Sequence, residues 1–122
     1  MSVYHEDLKK LSTGIKALGT EIPKTIMAMS TLIAENEKDS ILSGKTKELI
    51  ALGIAINERC DSCVLLHIAN ALKHGANRKE IFETIGVAIF SGGGAAIVMG
   101  IKAIEMVNVL MTDVQEINKA AP

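Results

Sequence analysis

Residues Glu48–His67 read ELIALGIAINERCDSCVLLH, and this stretch decides how the chain must fold. It holds both cysteines of the chain, Cys60 and Cys63, in Cys-x-x-Cys spacing, with His67 four residues further on. On a helix, positions i, i+3 and i+7 form one stripe, so these three side chains would face the same side. Glu48 lies twelve residues before Cys60 and joins them only if a preceding helix packs against this one. The remaining sequence is expected to form the scaffold that achieves this packing.

The composition predicts a single all-α domain that spans residues 1–122. A chain of 122 residues is long enough for one domain with a real core. Hydrophobic residues make up 48% of the chain and aromatic residues only 2%, so the core must consist of Ile, Leu, Val, Ala and Met. Such side chains suit close helix packing better than a β-sandwich or a barrel. The high apolar fraction also indicates a buried subunit interface.

The charge pattern and the first residues narrow the class of function. The chain carries 13 basic and 14 acidic residues, with no basic block and three aromatic residues, which argues against nucleic-acid binding. The N-terminal sequence MSVYHEDLKK has no apolar core of a secretory signal, so we expect a cytoplasmic protein. In that compartment, two cysteines are expected to be catalytic, redox-active or metal-binding rather than a structural staple.

One uncharged run, Thr84–Ile101, needs to be distinguished from a membrane span. Its 18 residues barely reach the length that a membrane-spanning helix requires. Three consecutive glycines, Gly92 to Gly94, interrupt it. We therefore expect a pair of buried helices with a break at these glycines, and no membrane partner.

Hydrophobic periodicity predicts six or seven helices and no strand. Gly19 is the predicted stop of the first helix, Pro23 opens the second, and Ser43 or Gly44 caps the third. The third helix is apolar nearly all round and is predicted to be central. The predicted helices are Tyr4–Leu18, Ile22–Glu37, Lys45–Arg59, Cys60–His74, Arg78–Phe90 and Ala95–Met111, with 113–119 as a short last helix or a tail.

The cysteine pair stands where a thiol can become reactive. The thiolate is the nucleophilic form, and the start of a helix stabilises an anion through its dipole and free amides. His67, one turn after Cys63, can take its proton, and Glu48 can orient His67 if the fold places it opposite. Two cysteines three residues apart can also close a reversible disulfide. From these residues alone either cysteine fits the attacking role, because Cys63 is nearer the base and Cys60 nearer the helix terminus.

The spacing Glu48-x(11)-Cys60-x(2)-Cys63-x(3)-His67 resembles that of the alkyl hydroperoxidase D (AhpD) and carboxymuconolactone decarboxylase superfamily. The stretch ALKHGANRKEIFETIGVAIFSGGGAAIVMG, residues 71–100, is also similar to it. The resemblance extends over residues 43–109. The decarboxylases themselves lack this cysteine pair, so the resemblance does not imply decarboxylation.

The resemblance implies an AhpD-like helical fold that assembles as a homo-trimer or homo-hexamer. It also implies a thiol peroxidase or disulfide reductase that needs no cofactor and no metal, acting on a hydroperoxide or disulfide substrate. Peroxide would oxidise Cys63 to a sulfenic acid, Cys60 would resolve it to a disulfide, and His67 with Glu48 would relay protons. Electrons would come from a lipoylated protein, a thioredoxin-like protein or a low-molecular-weight thiol.

One position departs from the pattern of well-known members of this superfamily, which carry a second histidine between the two cysteines. The corresponding residue in this chain is Ser62. A hydroxyl can relay a proton or donate a hydrogen bond, but it does not act as a base near neutral pH. We therefore expect Ser62 to lower peroxidase efficiency, while many family members lack this histidine too.

Three alternatives to this hypothesis remain open from the sequence. Cys60 and Cys63 can be small buried apolar residues, because free cysteine is commonly interior. With His67 they can supply three ligands of an open or intersubunit zinc site, although a closed structural site needs four. They can also form a redox switch that controls assembly without catalysis. Glu48, early in a helix, is typically a solvated residue matched to the helix dipole, and its role rests mainly on the resemblance.

Overall fold

The structure, a computed structural model, describes residues 2–120, except for the side chains of residues 114–118 and 120. Within these residues the chain forms six α-helices and no strand, so the predicted all-α class is confirmed. The helices are α1 (Val3–Glu21), α2 (Pro23–Glu37), α3 (Gly44–Glu58), α4 (Asp61–Lys73), α5 (Arg78–Gly92) and α6 (Gly94–Ala120).

Two predicted helix ends were wrong, for identifiable reasons. The first helix does not stop at Gly19 but continues to Glu21. It ends at Ile22, because a proline disfavours helical backbone in the residue before it and Pro23 follows. Residues 113–119 form neither a separate helix nor a tail but continue α6, because no glycine or proline interrupts residues 101–120.

Polar side chains determine where α3 and α5 begin. The Ser43 hydroxyl accepts a hydrogen bond from the Thr46 N–H at 3.1 Å, so Ser43 rather than Gly44 caps α3. Asn77 and Glu80 form a reciprocal capping box on α5, with bonds of 2.8 and 3.0 Å. Each cap satisfies amide groups that have no partner in the first turn. These caps fix the residues at which α3 and α5 begin.

Glu80 also joins α5 to α3 through a charge pair. Lys45 Nζ lies 2.8 Å from Glu80 Oε2. This contact and the Asn77 N–H hold the pKa of the Glu80 carboxyl below its usual value. The folded state therefore gains stability from ionised Glu80 above the pKa of the unfolded chain, and loses it as the pH falls through the lowered value.

The helix predicted to be central, α3, does lie at the centre of the fold. It packs against α4, α5 and α6, and Leu52 and Ile56 on it have no exposed surface. Burying side chains of this size contributes roughly 1.5–3 kcal/mol each. Ala55 of α3 is also buried. The rest of the core comes from α4, α5, α6 and the turn before α5: Val64, Leu65, Ile68, Ala71, Ala76, Ile81, Ile85, Ala88, Ala96, Met99, Ala103, Met106, Val107 and Leu110.

The glycine break between α5 and α6 is confirmed. α5 ends at Gly92, Gly93 adopts a positive φ of 71°, and α6 begins at Gly94. Glycine reaches this conformation without the steric cost that a Cβ atom would bring. Residues 94–113 of α6 are long and apolar enough to cross a membrane, and core helices pass the same test. Here α6 supplies buried residues of the core named above.

The first two helices lie outside this core. Neither contributes a fully buried side chain, although Tyr4 and Leu8 of α1 pack against the core. On α2, Met27, Met29 and Leu32 are more than half exposed. A second apolar surface lies on α6, where the exposed residues are Ile97, Val98, Ile101 and Ile104. Exposed apolar surfaces of this kind mark interaction sites.

The close approach of α3 to its neighbours makes Gly44 a sensitive position. A Cβ atom there would lie 2.6 Å from the Glu37 carbonyl oxygen and 2.8 Å from His74 Cδ2. We expect Gly44→Ala to lower the free energy of unfolding by about 1–3 kcal/mol, the usual cost of overpacking. The control is Gly86→Ala, which meets nothing within 4 Å in a helix and should stabilise by roughly 0.5–1 kcal/mol. Urea denaturation measures both, and equal stability changes would contradict the packing argument.

Candidate functional site

A sharp reversal between α3 and α4 builds the site. α3 ends at Glu58, the next residue, Arg59, takes the left-handed conformation with φ 58° and ψ 38°, and Cys60 already caps α4. The Arg59 N–H bonds the Ile56 carbonyl at 3.2 Å, and the Cys60 N–H bonds the Ala55 carbonyl at 3.3 Å. Only two residues therefore separate the helices. This reversal packs α3 against α4, which is the condition under which Glu48 can approach the cysteines and His67.

The two cysteines lie at the N-terminus of α4 and are joined as a disulfide. Their Cα atoms are 5.2 Å apart, and both residues are half-buried. Cys60 is the cap itself, since its Sγ accepts a hydrogen bond from the Cys63 N–H at 3.3 Å. The sulfur thus occupies the place where the helix dipole and free amides favour negative charge. A thiolate released at Cys60 on reduction would be stabilised in the same position.

Glu48 and His67 meet across the packed faces of α3 and α4. Glu48 Oε2 lies 2.8 Å from His67 Nδ1. Glu48 is only 5% exposed, whereas the His67 side chain is 27% exposed and remains in reach of solvent. An ionised carboxylate only accepts hydrogen bonds, so Nδ1 must carry the proton. In the neutral ring the free lone pair is therefore on Nε2, the nitrogen available as a base.

This arrangement places a candidate proton acceptor beside the cysteine pair. His67 follows Cys63 by one helical turn, which makes the two side chains neighbours on the surface of α4. When Nε2 takes a proton, the buried Glu48 carboxylate can stabilise the resulting imidazolium through the opposite ring nitrogen. A buried carboxylate also needs such a partner, because burial of an unpaired charge is costly. The same contact therefore orients the base and satisfies Glu48.

All four residues singled out in the sequence lie on the facing helices α3 and α4 or at the reversal between them. For Glu48 the sequence predicted exposure to solvent as readily as a place in the site, because a glutamate early in a helix is typically solvated. The structure places it in the core instead, since α4 covers that face of α3. The sequence contains no local signal of this burial, which depends on a contact between residues 19 positions apart.

Sequence reasoning missed one residue near the cysteine pair, Lys102. The cap of α4 is Cys60, and Asp61 lies in the first turn, where Lys102 Nζ from α6 approaches its two carboxylate oxygens at 3.3 and 3.4 Å. Lys102 thus offsets a negative charge next to the cysteines. Lys102 and Asp61 are 41 residues apart in the chain, so no local sequence pattern indicates their contact.

The other two histidines do not complete a metal site. His74 Nδ1 donates to the Asn70 carbonyl at 2.8 Å at the end of α4, and His5 Nε2 lies 2.8 Å from Asp113 Oδ2. Among the residues that the structure describes, no three His, Cys, Asp or Glu side chains are grouped closely enough to hold a metal ion. The disulfide also engages both cysteine sulfurs. The zinc alternative therefore gains no support from the described residues.

With this geometry defined, comparison with known proteins identifies the family. The model of the carboxymuconolactone decarboxylase family matches residues 20–106, which include Glu48, Cys60, Cys63 and His67. The chain belongs to the carboxymuconolactone decarboxylase family. The resemblance noted in the sequence is thereby confirmed.

Similar sequences and solved structures agree with this assignment. The chain is 35% identical to an uncharacterised Cupriavidus necator protein over an alignment of 102 residues. The match covers 80% of this chain and 90% of that protein. It is 37% identical to an uncharacterised Haemophilus influenzae protein over 106 residues, 87% of this chain and 94% of that protein. The crystal structure of an apo family protein from Legionella pneumophila matches with a TM-score of 0.83 and 31% identity, covering 88% of this chain and 96% of that chain.

A Thermotoga maritima family protein matches with a TM-score of 0.67 and 27% identity, covering 80% of this chain and 96% of that chain. Involvement in the antioxidative response has been suggested for that protein. These matches confirm the all-helical family fold of the present chain.

The pairing of Lys102 with Asp61 generates a test. Removing the lysine leaves the Asp61 carboxylate unneutralised at the start of α4, and a like charge disfavours a thiolate. Because the pair is about half exposed, we expect Lys102→Gln to slow alkylation of the reduced protein by iodoacetamide at neutral pH by no more than about fivefold.

The double variant Asp61→Asn/Lys102→Gln is the matched control and should restore the original alkylation rate. If both variants react equally slowly, Lys102 acts through packing and not through its charge.

Proposed function

We propose that this chain is a cytoplasmic thiol-dependent oxidoreductase that reduces a hydroperoxide or a disulfide substrate. Its Cys60–Cys63 pair would cycle between dithiol and disulfide, with His67 and Glu48 as the proton relay. The hydrogen bond between His67 and the buried Glu48, set beside a disulfide at a helix start, is the observation that carries this proposal. The suggested antioxidative role of the Thermotoga maritima relative also supports it.

In the oxidative half of the cycle, His67 Nε2 takes the Cys63 proton. The Cys63 thiolate attacks the terminal oxygen of the hydroperoxide, the O–O bond breaks, and the alkoxide leaves as an alcohol after receiving a proton. Cys63 is then a sulfenic acid. The Cys60 thiolate attacks the Cys63 sulfur and expels hydroxide, which leaves as water once protonated. One hydroperoxide is thus reduced by two electrons as one disulfide forms.

In the reductive half, an external dithiol or two thiols return the two electrons. A donor thiolate attacks one sulfur of the disulfide and forms a mixed disulfide, and the other protein sulfur leaves as a thiolate. The second donor thiolate then attacks the donor sulfur of the mixed disulfide, which closes the donor disulfide and releases the remaining protein sulfur as a thiolate. The position of Cys60 Sγ over the Cys63 N–H supports Cys60 as the leaving group, because this site stabilises negative charge. We propose a lipoylated protein, a thioredoxin-like protein or a small thiol as the donor.

Substitutions in the relay test this proposal. We expect Cys63→Ser to abolish peroxide consumption, and Cys60→Ser to retain a single oxidation that a sulfenic-acid reagent such as dimedone traps. His67→Gln should lower the rate by about 10²- to 10⁴-fold, the usual contribution of a general base. Glu48→Gln should also lower it, because the neutral amide no longer stabilises the imidazolium.

The measurement is peroxide consumption by the reduced protein, with dihydrolipoamide, thioredoxin or glutathione supplied in turn. His74→Gln is the matched control, since this histidine lies on the end of the same helix and bonds only a carbonyl there. Undiminished turnover in His67→Gln, or no turnover by the unmodified protein with any donor and peroxide, would defeat the proposal.

We further propose that the protein assembles as a homo-trimer or homo-hexamer. The support is the apolar surface of α2 and α6 that the single chain leaves exposed. Light scattering should then give three or six times the mass of one chain, 13.0 kDa. A monodisperse monomer would contradict this assembly.

The same exposed surfaces support a second candidate function, a redox switch that acts through assembly. In that case closing the disulfide at the start of α4 would change the oligomer without turnover. Light scattering of the oxidised and the reduced protein separates the candidates. An unchanged mass together with peroxide turnover supports the enzyme, whereas a changed mass without turnover supports the switch.

A further inference from the structure

A cavity of about 760 Å³ lies between α1, α4 and α6 and takes no part in the proposed redox cycle. Its volume falls within the range of small-molecule binding sites, roughly 300–1,000 Å³. The cysteine pair and His67 do not line it. Its walls are mainly aliphatic, with Leu8, Leu11, Ile15, Leu66, Leu72 and Leu110 as the main side chains.

Helices α1 and α4 form the long walls of this cavity. On α1 the lining residues run from His5 to Lys16, eleven residue steps or roughly 16 Å of helix. On α4 they run from Leu66 to Lys73, seven residue steps or roughly 10 Å. Such a long aliphatic trough fits an extended chain better than a compact ring.

The polar lining of the trough favours a negatively charged ligand. Lys16 and Lys73 both line it. The carboxylate in the lining, Asp113, is paired with His5, whose Nε2 lies 2.8 Å from Asp113 Oδ2. The two lysines therefore attract an anionic group, and the charge of the one carboxylate is offset by its histidine partner.

We propose that this cavity binds a fatty-acid-like anion, with its alkyl chain along α1 and its carboxylate beside Lys16 and Lys73. The aliphatic walls supply the binding energy, because the removal of an alkyl chain from water is favourable in proportion to the apolar area that is buried. The two lysines supply the preference for an anionic head group. The site is distinct from the cysteine pair, so its occupancy does not depend on the redox proposal.

Isothermal titration calorimetry of the intact protein tests this site with three probes that share one alkyl chain. These are dodecanoate, dodecanol and dodecyltrimethylammonium, each kept below the concentration at which it forms micelles. We expect saturable binding of dodecanoate at one per chain and weaker binding of the cation. No saturable binding, or equal affinity for the anion and the cation, would overturn the proposal.

A matched pair of serine substitutions locates the site. Ser12 is exposed and lines this cavity, while Ser91 is exposed and lines the separate groove between α3 and α5. Ser12→Trp should weaken dodecanoate binding at least tenfold because the indole fills the trough, and Ser91→Trp should leave it unchanged. Ile15→Trp fills the same cavity and replaces Ser12→Trp if that variant does not fold. Unchanged binding in the filled variant would place the ligand elsewhere.

Lysine substitutions test the head group. Lys16→Gln/Lys73→Gln should weaken dodecanoate binding by about two- to tenfold, the effect of two exposed charge pairs, and leave dodecanol binding unchanged. Equal losses for both probes would contradict a role of the lysine charges. Light scattering of Ser12→Trp completes the test. A fall in the mass of the assembly would show that a second copy of this chain fills the trough, and the proposal would be wrong.

Discussion

The reversal at Arg59 and Cys60 is the constraint on which the rest of this structure depends. A non-glycine residue in the left-handed region costs of order 1–3 kcal/mol, and here it allows α4 to turn back onto α3 after two residues. This close packing buries Glu48 and delivers its carboxylate to His67. It also sets the cysteine pair at a helix start. A longer connection would leave the orientation of α4 on α3 open and would not bring Glu48 to His67.

Cys60 has two roles at this reversal, and they are physically linked. Its sulfur caps α4 by accepting the Cys63 N–H, and it is also one half of the disulfide. A sulfur atom that accepts an amide hydrogen bond is a better thiolate, because the same bond strengthens as negative charge develops. A thiolate at Cys60 would therefore make a stronger cap for α4 than the sulfur of the disulfide does.

The helices differ in how much of their stability comes from the core. Helices α3, α4, α5 and α6 share one aliphatic core around Leu52 and Ile56. The first two helices add no fully buried side chain, and α2 packs mainly against α1 and α3. Their position leaves apolar surface for an assembly and leaves room for the cavity beside α1. The fold thus separates a rigid site on α3 and α4 from peripheral surfaces open to other molecules.

Much of the fold could be predicted from local patterns. The 3.6-residue periodicity located all six helices, and Pro23, Ser43 and the triple glycine identified three of the boundaries. The stop at Gly19 was wrong because a helix tolerates a glycine at modest cost, whereas the proline that follows disrupts it.

The sequence by itself determined the all-α class and the placement of Cys63 and His67 on one face of α4, because helical geometry converts spacing directly into direction. Cys60 lies just outside the helix, as its cap. Only the tertiary structure decided that Glu48 is buried against His67 and that Lys102 neutralises Asp61. Both contacts join different helices, and their existence depends on how those helices pack. Packing is a property of the whole core, so no local pattern in the sequence contains it.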